Sequence, residues 1–427
     1  MTVQRIRLGV LGHGTVGSAF VELVRKQAPT IAARSGVALE VARVAVRNAS
    51  AHKSSPVADL LTTDAAFVVN DPTIDLIVEV MGGVDDARRL VLQALANGKP
   101  VVTANKALLA THGLELFSAA DASGIDLLFE AAVCGGIPLI RPLRESLRGE
   151  PITRVLGIVN GTTNYILTKM TEESMTYGDA LTGAQKLGYA EADPTADVEG
   201  HDAAAKLSII ASIAFGQNVV ASDVHCEGIS AITPADIAIA NRLGYAVKLL
   251  AVAEIDATGS VLLRVHPEMV PHHHPLASVR DSFNAVVVDG AASGSLMFYG
   301  RGAGGEPTAS SVLGDVIDAS MNVNKGSHAS LGVLSKSNLR SMLSLRGEYL
   351  LPLEVADEPG VLHSVTGIFA RHGVSIRAAE QDGIGNGARL VFLTHEASEA
   401  AVQECIAGLR ELDVVLRVGG LLRVIGD

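Results

Sequence analysis

The chain has 427 residues, 48% of them hydrophobic and only 4% aromatic, with no tryptophan, a formal net charge of −12 and a mean hydropathy of +0.33. That length implies two or three domains with ample core. The acidic balance leaves no basic stripe for phosphates, so nucleic acid is excluded as the main partner, and no apolar run of about 18 residues offers a membrane span.

Alanine, valine, leucine and glycine dominate, the usual palette of parallel sheets covered by helices. The charged, strand-like N-terminus is not a signal peptide, and three dispersed cysteines imply a reducing compartment, hence a cytoplasmic protein. Residues 6–11 form an apolar run ending in Gly12-His13-Gly14-Thr15-Val16-Gly17, and residues 18–26 have helical periodicity. A G-x-G-x-x-G between a strand and a helix reads as a dinucleotide turn, whose glycines admit a pyrophosphate to the helix N-terminus. The alternative is a glycine-rich turn with no ligand.

A second strand, residues 39–46, runs into Arg47 and Asn48, with His52 and Lys53 close behind. An NAD site usually has an acid at this tip. Here Arg47, helped by Lys53, could hold a 2′-phosphate through a bond worth roughly 1.5–3 kcal/mol. The reading is therefore NADP over NAD, the alternative being a solvated loop arginine. Further strand–helix units follow at residues 74–97 and from residue 100, with another strand at 127–130. Such alternation gives a doubly wound parallel sheet that binds ligands beyond its strand ends. Lys106 and Glu130 lie at such ends. A lysine opening a helix opposes the helix dipole, which suggests a nearby anion or an ordinary surface lysine. Cys134, beside Gly135-Gly136, is either a small buried residue or a thioester-forming nucleophile.

A strand at residues 155–159 leads into Asn160-Gly161-Thr162-Thr163-Asn164-Tyr165, a turn that fixes a small ligand or caps the next helix. The stretch 187–213 then carries Glu191, Asp193, Asp197, Glu199 and Asp202, and continues as a helix of small and apolar residues. Asp202 and Lys206 share one face of it, one turn apart. A surface ion pair would explain the spacing. The absence of a polar stripe favours a buried helix, in which an acid and an amine are costly unless they pair or act.

GHGTVGS, TANKALLA, FEAAVCGGIPLI, GIVNGTTNYIL, LGYAEADPTADVEGHDAAAKL and GRGAGGEPTASSVLGDV stand in the order found in homoserine dehydrogenases, and the chain resembles that family from residue 9 to about 320. The resemblance implies NAD(P)-linked interconversion of L-aspartate 4-semialdehyde and L-homoserine. It implies a Rossmann-type domain at 1–134 completed by about 300–334, a middle α+β substrate-binding and dimerisation domain at 135–299, and a homodimer or homotetramer. By resemblance, Lys206 is the proton donor, Asp202 orients it or the substrate amine, and Lys106 contacts substrate or coenzyme. Glu191 and Asp197 bind the substrate ammonium group. Thr103, Gly188 and Gly302 join the glycine turn as coenzyme contacts. Glu130, as one carboxylate, and the carbonyls of Val133, Gly135 and Ile137 match the family's loop for Na⁺ or K⁺. His13 departs from the apolar residue usual within the turn.

His272-His273-His274, between two prolines and without a partner motif, reads as a solvated loop. After a linker at 335–346, residues 347–427 follow a β-α-β-β-α-β pattern, a ferredoxin-like unit in which Pro352 implies an edge strand. Its DEPGVL turn resembles ACT domains, which implies an amino-acid effector, most plausibly L-threonine, or else an assembly role. No kinase-like segment precedes residue 1, so a monofunctional enzyme is expected. Two rivals remain: a thioester-forming semialdehyde dehydrogenase using Cys134, and a non-catalytic nucleotide and amino-acid sensor.

Overall fold

The computed structural model describes residues 4–426 apart from residues 53, 385 and 386. The Lys53 assignment therefore lies outside the described residues. Contacts divide the chain into two compact units: residues 1–155, 205–223 and 284–337, and residues 156–204, 224–283 and 338–427.

The first unit holds a six-stranded parallel sheet of order β3-β2-β1-β4-β5-β6. Its strands are β1 Gln4–Leu11, β2 Val37–Ala45, β3 Leu61–Thr62, β4 Leu76–Glu79, β5 Val101–Thr103 and β6 Leu127–Leu128. Between them run α1 Thr15–Ser35, α2 Ala65–Asn70, α3 Asp85–Ala96 and α4 Lys106–Ser123. Strand order reverses direction between β1 and β4, the switch point where doubly wound sheets bind ligands. Ile6, Leu8 and Val10 of β1 pack with Phe20, Val21 and Val24 of α1 and with Val312 and Val316 of the helix Gly305–Lys325 in one buried cluster. Each such side chain contributes roughly 1.5–3 kcal/mol through burial. Helix α1 continues nine residues beyond its expected end at Lys26, through Pro29, to a left-handed C-cap at Gly36. Pro29 is exposed, so water can satisfy the carbonyl it leaves unpaired.

The second unit is organised by a run of neighbouring strands: Tyr245–Ile255, Val261–Pro271, Leu422–Val424, Tyr349–Ala356, Gly387–Thr394 and Ile376–Ile384. The last part of the chain has the ferredoxin-like topology, its helices Val361–Arg371 and Glu399–Arg410 burying Val365, Phe369, Val402 and Leu409 against the strands. Strand Tyr349–Ala356 is not the edge strand that Pro352 implies. It pairs with Gly387–Thr394 on one side and with both Val415–Val418 and Leu422–Val424 on the other. Pro352 is tolerated because it falls in the gap between those two pairings, where its carbonyl still accepts from the Gly419 amide at 2.8 Å.

Continuing the numbering, β7 is Ile152–Ile158, α5 Gly161–Glu172, α6 Tyr177–Lys186, α7 Thr195–Val198 and α8 His201–Phe215. Helix α8 begins in the second unit and ends in the first. From Asp202 to Ser212 it is buried at every position but Ala205.

Candidate active site

The glycine turn is built for close approach. Gly12 has φ +108°, and a Cβ there would lie 2.6 Å from the Val80 carbonyl oxygen, while one on Gly17 would collide with the Gly12 carbonyl. Only glycine fits either place. Helix α1 starts at Thr15, followed by Val16 and Gly17, with no side-chain cap and no acid in its first turn. Its N–H groups and dipole are thus left for an anion. Gly12, His13 and Gly14 line a cleft of about 660 Å³ with Arg47, Asn48, His52, Asp64, Asp86 and Arg89. Arg47 is exposed there, and no acid occupies the tip of β2. Asp64 faces the cleft, but its carboxylate caps α2 by accepting from the Phe67 amide at 2.9 Å. The departure at His13 is accommodated: the ring is buried, its Nε2 meets Ser55 Oγ at 2.9 Å, and burial, then His52, lowers its pKa.

At the ends of β4 and β5 a residue unremarked in the sequence emerges. Glu79 is fully buried, accepts from Thr103 Oγ1 at 2.6 Å and from the Met81 amide at 2.9 Å, and has its pKa raised by desolvation. The Thr103 hydroxyl is therefore engaged with Glu79. Asn105 caps α4 through the Leu108 amide at 3.1 Å and holds the Gly83 carbonyl at 2.7 Å. This fixes Lys106, half-buried, as the first residue of α4.

The acidic block belongs to the second unit. Asn160 caps α5, its Oδ1 accepting from the Thr163 amide at 2.9 Å, while its Nδ2 donates to Asp197 at 2.7 Å and to Asp202 at 2.9 Å. Thr162 Oγ1 reaches the Tyr189 carbonyl at 2.6 Å, tying down the chain just before Glu191. Glu191 is exposed. Asp193 turns its carboxylate onto Thr195, whose hydroxyl and amide lower its pKa. Asp202 and Lys206 are 8% and 9% exposed.

Around Glu130 the structure adds a capping role to the expected cation loop. The Glu130 carboxylate is already engaged by the amides of Leu139, Ile140 and Arg141 at 2.6, 2.7 and 2.8 Å. It caps the helical stretch that includes Pro142–Ser146, so the carboxylate has a structural role beside the carbonyls of Val133, Gly135 and Ile137. Cys134 and Gly135 both take left-handed backbone angles in this loop, and Cys134 is fully buried. Asp315, whose carboxylate accepts from the Glu130 amide at 2.8 Å, is pushed by burial up to about 7. Gly302 packs so tightly on Asn284 that no side chain fits. Gly188, with φ +75°, belongs to the second unit. His272 and His273 are exposed, and among the described residues no group of three His, Cys, Asp or Glu is arranged to hold a metal ion.

Three family profiles match the chain: homoserine dehydrogenase, NAD binding domain, over residues 12–130; homoserine dehydrogenase over 138–317; and ACT domain over 349–410. The homoserine dehydrogenase of Mycobacterium leprae is 48% identical, over 99% of this chain and 98% of its own. The crystal structure of a homoserine dehydrogenase from Thiobacillus denitrificans superposes with a TM-score of 0.94 at 41% identity, covering 99% of this chain and 98% of that one. A hyperthermophilic archaeal homoserine dehydrogenase in complex with NADPH covers 75% of this chain and 98% of its own, with a TM-score of 0.64 at 29% identity.

Proposed function

This chain belongs to the homoserine dehydrogenase family, oxidoreductases acting on a CH–OH group, and from that premise we propose how its own residues carry the reaction between L-aspartate 4-semialdehyde and L-homoserine. The coenzyme, when bound, supplies or accepts the hydride. Gly12, Gly14, Thr15, Val16 and Gly17 take its pyrophosphate at the N-terminus of α1. Arg47 holds the 2′-phosphate, so NADP is preferred; the NADPH complex of the archaeal relative supports this reading by likeness. Lys206 gives its proton to the carbonyl oxygen during reduction and takes it back from the hydroxyl in the other direction. Asp202 orients that amine, Lys106 contacts substrate or coenzyme, and Asp197 with Glu191 takes the substrate ammonium.

The observation that carries this reading is the burial of Asp202 and Lys206 four residues apart on one helix. Two charges are kept in such a wall when they serve each other or a ligand. A monovalent cation bound by the backbone carbonyls of the Glu130 loop is a structural element of the same proposal. So are an L-threonine effector at the ACT domain, a homodimer or homotetramer, a cytoplasmic location, and a place in the threonine, methionine and isoleucine branch. Among the described residues no helix is long and apolar enough to cross a membrane.

The test is NADPH oxidation with L-aspartate 4-semialdehyde in phosphate-free buffer, with and without L-threonine. Wild type turns over without phosphate, which a thioester route through buried Cys134 would not. Lys206→Ala loses about 10²–10⁴-fold in kcat; near-normal turnover would remove Lys206 as proton donor. Rates indifferent to threonine would remove the effector assignment.

A further inference from the structure

The turn before α5 does more than start a helix. Asn160 is 4% exposed and every hydrogen-bonding position of its amide is filled. Its Oδ1 accepts from the Thr163 amide at 2.9 Å and the Thr163 hydroxyl at 3.0 Å. A backbone N–H can only donate, so this contact fixes which end of the amide is oxygen. The other end is then the NH₂ group, and each of its two hydrogens goes to a different carboxylate: Asp197 on α7 at 2.7 Å and Asp202 on α8 at 2.9 Å.

The turn is itself anchored from behind. Asn164 donates to the carbonyls of Asp281 and Phe283 at 2.9 and 3.2 Å. The buried Lys248 bonds the Asn164 side chain at 3.2 Å and the Val279 carbonyl at 2.5 Å, and desolvation lowers its pKa to about 8. Thr162 holds the Tyr189 carbonyl. Two carboxylates brought close without a donor between them would repel, and one would take up a proton. A donor shared by both removes that conflict while setting their spacing.

We propose that Asn160 is a positioning residue of the reaction, whose amide holds the Asp197 and Asp202 carboxylates at a fixed separation, Asp197 for the ammonium group of the substrate and Asp202 for the Lys206 amine it orients. This rests on the reading of Asp197 as an ammonium partner. It assigns the turn a role beyond capping, since serine or aspartate would cap α5 as well as asparagine does but could not donate to both acids.

Steady-state oxidation of L-homoserine, with NADPH binding and thermal unfolding measured alongside, tests it on the intact enzyme. Asn160→Ser keeps the cap but has one donor proton where the amide has two, so the shared donation is lost and the homoserine KM rises by about tenfold or more. NADPH affinity stays within about twofold. Asn160→Asp, nearly isosteric, guards against a packing defect in the serine variant and shows the same rise. Thr163→Val weakens the cap but leaves both donations, so it lowers the unfolding temperature while its homoserine KM stays near wild type. Asp197→Asn reports on the underlying reading. If it raises KM and neither Asn160 variant does, the positioning role is overturned. If Asp197→Asn leaves KM unchanged, the ammonium assignment fails and the role built on it fails too.

Discussion

Replacing Arg423 by methionine strips the second unit of its most heavily bonded buried cation. Arg423 sits on the strand Leu422–Val424, in register with Glu268 on one neighbour and Tyr349 on the other, and is 3% exposed. Its guanidinium grips two carboxylates in bidentate fashion: Glu399 at 2.8 and 2.6 Å, and Glu227 at 2.8 and 2.7 Å. Glu399 is as buried as the arginine, so Arg423→Met leaves a carboxylate without its countercharge inside the fold. Removing one partner of a buried pair typically costs about 3–5 kcal/mol. Glu227 gives a second measure. Burial alone would raise its carboxyl, but hydrogen bonds from His225 and Arg423 outweigh that and bring it down from 4.5 to about 2. In full that is worth about 3 kcal/mol, and less here, because a third of the side chain is exposed and His225 shares the effect.

With no tryptophan in the chain, urea unfolding followed by far-UV circular dichroism is the suitable assay. The variant is expected to lose about 3–5 kcal/mol near neutral pH. The pH dependence has a definite sign. A depressed carboxyl stabilises the fold above 4.5, and that contribution fades as pH falls toward 2. The gap between wild type and Arg423→Met should therefore narrow over that acid range. A loss below about 1 kcal/mol, or a gap that does not change with pH, would refute this account of the cluster.

Arg47→Ala should raise the KM for NADP⁺ by about tenfold, the worth of one charge-assisted bond, and leave that for NAD⁺ unchanged; an unaltered coenzyme preference would take Arg47 out of the site. Dialysed enzyme titrated with NaCl and KCl should gain thermal stability in a saturable way, and no response to either salt would remove the cation. Because the Glu130 carboxylate bonds three amides, Glu130→Gln should cost about 1–3 kcal/mol of stability while the response to salt persists. Abolition of that response would instead place the carboxylate on the ion.

The nucleotide-binding half was legible because its strands and helices alternate in the two periods that sequence displays, 2 and 3.6. The strands Tyr245–Ile255 and Val261–Pro271 escaped notice for a physical reason. The first is buried through its seven central residues and the second at ten of its eleven, so no polar face alternates with an apolar one. Lys248, Glu254, Arg264, His266 and Glu268 read as interruptions. In the fold they lie inward and in company: Arg264 donates to Glu254 at 3.1 Å, and His266 is driven well below its usual pKa by burial. Pro352 misled in the opposite sense, because a proline forbids one ladder bond but says nothing of a strand whose neighbour changes at that very residue.

At the site, Asp202 and Lys206 stood out because no other Asp, Glu, Lys or Arg lies in the helix His201–Phe215, and both are buried. The capping role of Glu130 was not legible, since a carboxylate at a strand end looks the same in sequence whether it faces a ligand or three backbone amides. The five acids between residues 191 and 202 show how structure separates the two cases. Packed together they would repel, so each needs its own answer. Asp193 closes a local turn onto Thr195, Glu191 reaches solvent, and Glu199 packs tightly against Gly228. Asp197 and Asp202 share a neutral donor, Asn160, which bonds both carboxylates and adds no charge of its own. On the proposed reading, that shared donor sets the place of Asp197 for the cation an amino-acid substrate brings, its ammonium group.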